Sequence, residues 1–203
     1  KHCMCRLAGT DSCCGCLLQN SKERYALVIG SEQISTRLDM EDRNTCVLFG
    51  DGAGATVIEL KEGTELYSVW GSEGLTDVLG CTGQNMGKAH IFMDGQKTFK
   101  NAVKRMGSAA AEVLEQSGYT MDDIDYVVCH QANERIIDAV VKRMDIPEEK
   151  VVKVIARYGN TSAASIPIAL DEMYEQGMLE KGNRILLATF GAGFTWASMI
   201  VEI

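Results

Sequence analysis

A chain of 203 residues, 46% apolar and 24% charged, can build one sizeable core, which excludes disordered, collagen-like and coiled-coil chains. A formal charge of −8 at pH 7 repels phosphates and argues against nucleic acid as a partner. No apolar run is long enough to span a membrane, and Lys1-His2-Cys3-Met4 lacks the apolar core of a signal peptide, so a cytoplasmic protein is expected.

Cysteine usage is uneven along the chain. Cys3, Cys5, Cys13, Cys14 and Cys16 crowd the start, whereas Cys46, Cys81 and Cys129 are scattered. The scattered three read as small, inert apolar residues of a reducing compartment. The crowded five, with His2, lack the paired Cys-x-x-Cys or His-x₃-His spacing that tetrahedral zinc favours, so no metal site is expected.

The first predicted strand is Tyr25-Ala26-Leu27-Val28-Ile29, a continuous apolar run that suits burial on both faces. Residues 45–49 and 55–60 read as two more strands, joined by a tight turn at Gly50-Asp51-Gly52-Ala53-Gly54. That glycine cluster precedes a strand and not a helix, so it does not read as a phosphate loop. The polar segment Lys61-Glu62-Gly63-Thr64-Glu65 is the one linker candidate. A helix is predicted over 96–116 from Phe99, Val103, Met106, Ala110, Val113 and Leu114 at helical spacing, with Gly118 as its stop. Tyr126-Val127-Val128-Cys129 is the next strand, followed by a helix over 131–144 that ends at Asp145-Ile146-Pro147. One strand is expected ahead of Tyr158, a helix over 161–176, and strands at 184–189 and 195–203. The order β-β-β-α-β-α-β-α-β-β implies a layered α/β fold with a mixed sheet.

Three places on this framework carry candidate chemistry. His130 follows a buried strand in His130-Gln131-Ala132-Asn133, where α/β sheets present functional side chains. Asn160, in Tyr158-Gly159-Asn160-Thr161-Ser162, offers a neutral donor at another junction of this kind. Phe190-Gly191-Ala192-Gly193 leaves backbone amides bare of side-chain cover, as an oxyanion hole requires. Each also has a purely structural reading: His130 as a helix cap, Asn160 as an N-cap, the glycines as a hairpin turn.

Four strings in this order resemble one family, the β-ketoacyl-acyl-carrier-protein synthase III enzymes of the thiolase-like fold. They are Leu48-Phe49-Gly50-Asp51-Gly52-Ala53-Gly54-Ala55, His130-Gln131-Ala132-Asn133-Glu134-Arg135-Ile136, Gly159-Asn160-Thr161-Ser162-Ala163-Ala164-Ser165-Ile166-Pro167 and Phe190-Gly191-Ala192-Gly193-Phe194-Thr195-Trp196. The likeness runs from Tyr25 to Ile203 and implies a thiolase-like layered α/β fold with mixed sheets and an incomplete first half. Residues 1–62 would be the remnant of the N-terminal half and 63–203 the C-terminal half.

The resemblance implies a decarboxylating condensation that starts fatty-acid synthesis, in a homodimer and without a cofactor. A cysteine takes an acyl group from acyl-CoA, and the enolate of malonyl-acyl-carrier protein then attacks the thioester. His130 and Asn160 would donate to the malonyl thioester oxygen, and the Ala192 N–H to the oxyanion of acyl transfer, although the family usually has glycine at that position. Arg43 matches the arginine near CoA, while Arg135, Lys142 and Arg143 match the basic face that meets the acidic carrier protein. Lys97, Lys100 and Lys104 add a basic stripe with a solubilising role.

The nucleophile is where the likeness breaks. Family spacing places the cysteine, in an Ala-Cys-x-Gly setting, at Met4. A Cys codon (TGY) read one base later encodes Ala or Val, and ATG-TGY at Met4-Cys5 contains TGT, a cysteine codon at position 4. Residues 1 to about 20 are therefore expected to be translated out of frame, and the coding DNA tests this. Cys129 is no substitute, because consecutive strand residues face opposite ways and His130 takes the site side. The competing expectation is a non-catalytic truncated fragment that at most decarboxylates malonyl thioester.

Overall fold

The computed structural model describes residues 18, 22–59, 61, 65–82 and 90–203. The early cysteine cluster, the Met4 position and the expected out-of-frame segment lie outside these residues, except for Leu18.

Two strands form the first sheet. β1 (Tyr25–Glu32) and β2 (Gly52–Glu59) pair antiparallel, from Tyr25 opposite Glu59 to Glu32 opposite Gly52. The main sheet has the order β3-β8-β7-β6, from β3 (Ser68–Ser72), β6 (Tyr126–Cys129), β7 (Arg184–Gly191) and β8 (Thr195–Glu202). It is mixed: β6 and β7 run parallel, while β8 is antiparallel to both of its neighbours. A short ribbon of β4 (Leu79–Cys81) and β5 (Ile91–Met93) completes the strands among the described residues.

Among the described residues four complete helices accompany them. α1 (Gly95–Ser117) starts where the Asp94 carboxylate accepts from Lys97 N at 3.0 Å and stops at Gly118, whose φ of 72° needs no Cβ to be accommodated. α2 (Glu134–Met144) is capped by Asn133 and ends at Asp145 in a left-handed conformation. α3 (Ile155–Tyr158) is a single turn, and α4 (Ser165–Glu175) follows a 3-10 turn at Ser162–Ala164.

Alternation along the main sheet divides the core in two. Val127, Cys129, Leu186, Ala188 and Phe190 pack with Met106 and Val113 of α1 and Ile137 and Val140 of α2. Val128, Ile185, Leu187, Ala197 and Met199 pack with Ile166, Ala169 and Met173 of α4. Helix α4 also meets the first sheet on its far side, because Val28 of β1 joins the second core. The layers are therefore α1 and α2, the main sheet, α4, and the β1–β2 sheet. The last contact is close: a Cβ on Gly30 would lie 2.6 Å from the Ala163 carbonyl oxygen, and one on Gly54 would lie 2.7 Å from the Pro167 Cβ.

Several expectations require correction. β1 is not buried on both faces, since Tyr25, Leu27 and Ile29 are 58%, 61% and 63% exposed. Residues 45–49 form no strand. Instead Asp42 winds them into turns, its carboxylate accepting from Asn44 N at 3.0 Å and from Thr45 Oγ1 at 2.9 Å, while its carbonyl accepts from Cys46 N at 3.0 Å. Residues 50–54 are not a hairpin turn, because β2 begins at Gly52 and pairs back to β1. β3, β4 and β5 were not anticipated, and no strand precedes Tyr158, where a single bridge at Val151 leads into α3. On α1 the buried stripe is Ala102, Met106, Ala109, Ala110 and Val113, with Phe99 left exposed. Of the scattered cysteines only Cys129 is buried; Cys46 is half-buried and Cys81 exposed.

Candidate active site

A cavity of about 750 Å³ opens between the end of β6, the start of α2 and the loop after α3. Its polar lining includes His130 and Asn160, and its apolar lining includes Phe49, Leu79, Phe99 and Phe190.

His130 leaves β6 with its backbone N donating to Ala188 O of β7 at 2.8 Å, so it is still held to the sheet as its side chain turns into the cavity. The imidazole is 1% exposed. Its Nδ1 lies 2.7 Å from Ser165 Oγ, and Phe190 packs edge-on against the ring at 5.6 Å between centroids. Nε2 is buried with no hydrogen-bond partner among the described residues. Burial disfavours the imidazolium and pulls the pKa from 6.5 down to about 4, so the ring is neutral at pH 7.

Asn160 is fixed by its main chain and its side chain together. Its N donates to Leu48 O and its O accepts from Gly50 N, both at 2.9 Å, tying the loop after α3 to the loop before β2. Gly159, at φ 66°, makes the turn that permits this approach. The side-chain Oδ1 accepts from Ser162 N at 2.9 Å, which commits the oxygen and leaves the Nδ2 hydrogens for the cavity. This is a local turn and not a helix cap, since Thr161 holds the N-cap position of the 162–164 turn and Ala164 that of α4.

Gln131 joins the two loops. Its Nε2 donates to Cys129 O at 2.8 Å and Val152 O at 3.3 Å, and its Oε1 accepts from Val154 N at 2.9 Å and Ile155 N at 3.1 Å. Every hydrogen-bonding site of the buried amide is used, which pins the segment leading to Asn160 against the turn carrying His130. The sequence hint was a polar side chain set directly after an apolar strand, but its role depended on a segment 21 residues downstream. Ser165 was equally missed, because its partner is 35 residues away.

The other expected site residues scatter. Ala192 is half-buried in the turn between β7 and β8, two residues past Phe190, and does not line the cavity. His130 is not a helix cap, since Asn133 caps α2 through Oδ1 accepting from Arg135 N at 2.9 Å. Arg135 lines the cavity, whereas Lys142 and Arg143 are exposed further along α2, the Arg143 stem crossing α1 at Gly107. Arg43 is exposed next to the lining residue Asn44. Lys97 pairs with Asp94 at 3.3 Å, which removes it from a free basic stripe with Lys100 and Lys104. Cys129 lies outside the cavity, and burial pushes its thiol up to about 12, so it holds no thiolate at neutral pH.

The arrangement sets two neutral hydrogen-bond donors over one largely apolar cavity. Such a pair suits an oxygen that gains negative charge during reaction better than it suits a permanent anion.

Comparison with known proteins adds to this geometry. Residues 2–74 match the family model described as 3-oxoacyl-[acyl-carrier-protein] synthase III, and residues 114–203 match the model for its C terminus. The chain is 47% identical over 195 residues to a beta-ketoacyl-[acyl-carrier-protein] synthase III of Caldanaerobacter subterraneus subsp. tengcongensis, covering 88% of this chain and 58% of that protein. A protein of that name from Wolbachia pipientis wMel is 44% identical, covering 90% of this chain and 59% of its own length. The crystal structure of 3-oxoacyl-[acyl-carrier-protein] synthase III from Aquifex aeolicus VF5 superposes with a TM-score of 0.90 at 39% identity, covering 98% of this chain and 65% of that one. The chain thus spans about three-fifths of the length of these relatives.

Proposed function

Because this chain belongs to the 3-oxoacyl-[acyl-carrier-protein] synthase III family, we propose that its cavity serves the decarboxylating condensation of acyl-CoA with malonyl-acyl-carrier protein, the reaction that initiates fatty-acid synthesis. The observation that carries this reading is the convergence of the unpartnered His130 Nε2 and the Asn160 amide on one cavity.

The chemistry follows from charge placement. When the bond between the malonyl methylene and its carboxylate breaks, carbon dioxide leaves and the electron pair moves through the methylene onto the thioester oxygen. The Nε2–H of His130 and an Nδ2–H of Asn160 stabilise that oxygen without taking up a proton. The enolate carbon then attacks the acyl thioester held on the enzyme, and the sulfur departs as thiolate. The resemblance assigns the oxyanion of acyl transfer to the Ala192 N–H, two residues past the lining residue Phe190, and the acylated cysteine to the position held by Met4, whose thioether cannot itself form the thioester. Arg43 contacts CoA, while Arg135, Lys142 and Arg143 receive the acidic carrier protein. The working unit is a cytoplasmic homodimer without a cofactor, in which residues 1–62 and 63–203 belong to the N-terminal and C-terminal halves of a thiolase-like fold.

A second reading has its own support: no cysteine among the described residues lines the cavity. On that reading the chain is a non-catalytic fragment for condensation and carries at most the decarboxylating step.

The test is release of carbon dioxide from malonyl-CoA by the purified chain. His130→Ala and Asn160→Ala should each lower the rate on the order of 10²-fold, as loss of one oxyanion donor does elsewhere. Equal rates in the parent chain and both variants would overturn the assignment. Radiolabelled acyl-CoA separates the two readings, since a stable protein thioester supports condensation and its absence alongside decarboxylation supports the fragment.

A further inference from the structure

His130 would serve either as a donor or as an acceptor toward the cavity, depending on which ring nitrogen carries the proton. We propose that Ser165, the first residue of α4, is a positioning residue that holds His130 as the Nε2–H tautomer and so makes it a hydrogen-bond donor.

The argument is a count of hydrogens around one hydroxyl. Ser165 Oγ lies 2.7 Å from His130 Nδ1 and 3.4 Å from the backbone N of Gln131. The Gln131 N–H can only donate, so Oγ accepts there. The single hydroxyl hydrogen then points at Nδ1, which must offer a lone pair. The neutral ring carries one N–H, and it falls on Nε2, the atom that is buried and unpartnered. The opposite tautomer would make Oγ accept twice and leave its hydrogen with no acceptor at a residue 2% exposed, since the Ser165 hydroxyl meets no carbonyl among the described residues. A buried hydroxyl hydrogen without an acceptor is strongly disfavoured, and that fixes the tautomer. The Thr161 carbonyl, one helical turn back, accepts from Ala164 N at 3.1 Å and, among the described residues, makes no hydrogen bond with the Ser165 hydroxyl. Phe190 holds the ring plane but has no polar atom with which to choose between its nitrogens.

The consequence for catalysis rests on the function proposed above: with the proton on Nδ1, the Nε2 lone pair would face and repel the enolate oxygen. The tautomer itself can be read without turnover. In protein labelled with ¹⁵N-histidine, long-range ¹H–¹⁵N correlation at pH 7, with His130→Gln used for assignment, should show a pyridine-type Nδ1 and a pyrrole-type Nε2. Ser165→Ala, or Ser165→Gly if the alanine variant does not fold, should average the two nitrogens, and Ser165→Thr should restore the pattern. The same loss should lower kcat for malonyl-CoA decarboxylation about tenfold with KM unchanged. A protonated Nδ1 in the parent protein, or an unaltered pattern once the hydroxyl is removed, overturns the proposal. A chain that shows the expected pattern but decarboxylates nothing leaves this inference standing and removes the functional reading instead.

Discussion

β1–β2 and β7–β8 are both antiparallel pairs of eight-residue strands with apolar-rich sequences, yet they occupy opposite situations. In β7 every residue from Ile185 to Gly191 is buried, with Leu186 and Leu187 pointing into different cores. In β1 one face meets the 162–164 turn and α4 through Val28 and Gly30, while Tyr25, Leu27 and Ile29 stand in the open beside Val57. An apolar run therefore tells that a strand forms and leaves open how many of its faces are covered. Coverage depends on what the rest of the chain brings to it.

The sharpest way to break this comparison is to truncate matched leucines. Leu186→Ala should destabilise the chain by about 2–5 kcal/mol, and Leu27→Ala by no more than about 0.5 kcal/mol, measured from urea midpoints. Equal costs would mean that both ribbons are buried in solution. Acid should also act on the β6–β7 side. His130 takes its proton near pH 4 in the folded chain and near 6.5 when unfolded, so the unfolded state binds protons first. Its contribution is intact above about pH 6.5, declines as pH falls towards 4, and totals about 3 kcal/mol. Unfolding free energies of the parent chain and His130→Gln across pH 4–7 should differ by this slope. Smaller again is the effect expected where the ribbons differ most in how they dock: Gly30→Ala sets a methyl group against the Ala163 carbonyl and should cost about 1–3 kcal/mol. Loss of hydrogen-exchange protection in β1 and β2, with β7 and β8 unaffected, would locate the damage.

Much of the architecture is legible in local signals. The 3.6-residue periodicity and Gly118 mark α1, and the runs at 126–129 and 184–189 mark β6 and β7, because propensity and burial agree there. The failures share one cause, a non-local or side-chain contact overriding the apolar pattern. Residues 45–49 read as a strand but obey the Asp42 carboxylate, and the short β4–β5 ribbon has three residues a side to announce itself. For the site, His130 and Asn160 were readable as polar residues at element junctions, and the resemblance singled them out. What could not be read was the supporting frame of Gln131 and Ser165, whose hydrogen bonds reach across 21 to 35 residues. Nor does the sequence reveal that the Ala192 turn stands aside from the cavity lining.

The parallel bridge at Asn160 has a thermodynamic consequence. Its main chain grips the 48–50 loop that leads into β2, while its carboxamide faces the cavity. Any molecule that engages the carboxamide therefore favours the conformation in which that loop is seated, and by linkage a seated loop tightens the molecule's binding by the same factor. Occupancy of the cavity should thus slow exchange of the Asn160 and Gly50 amides, two reporters that no ligand need touch.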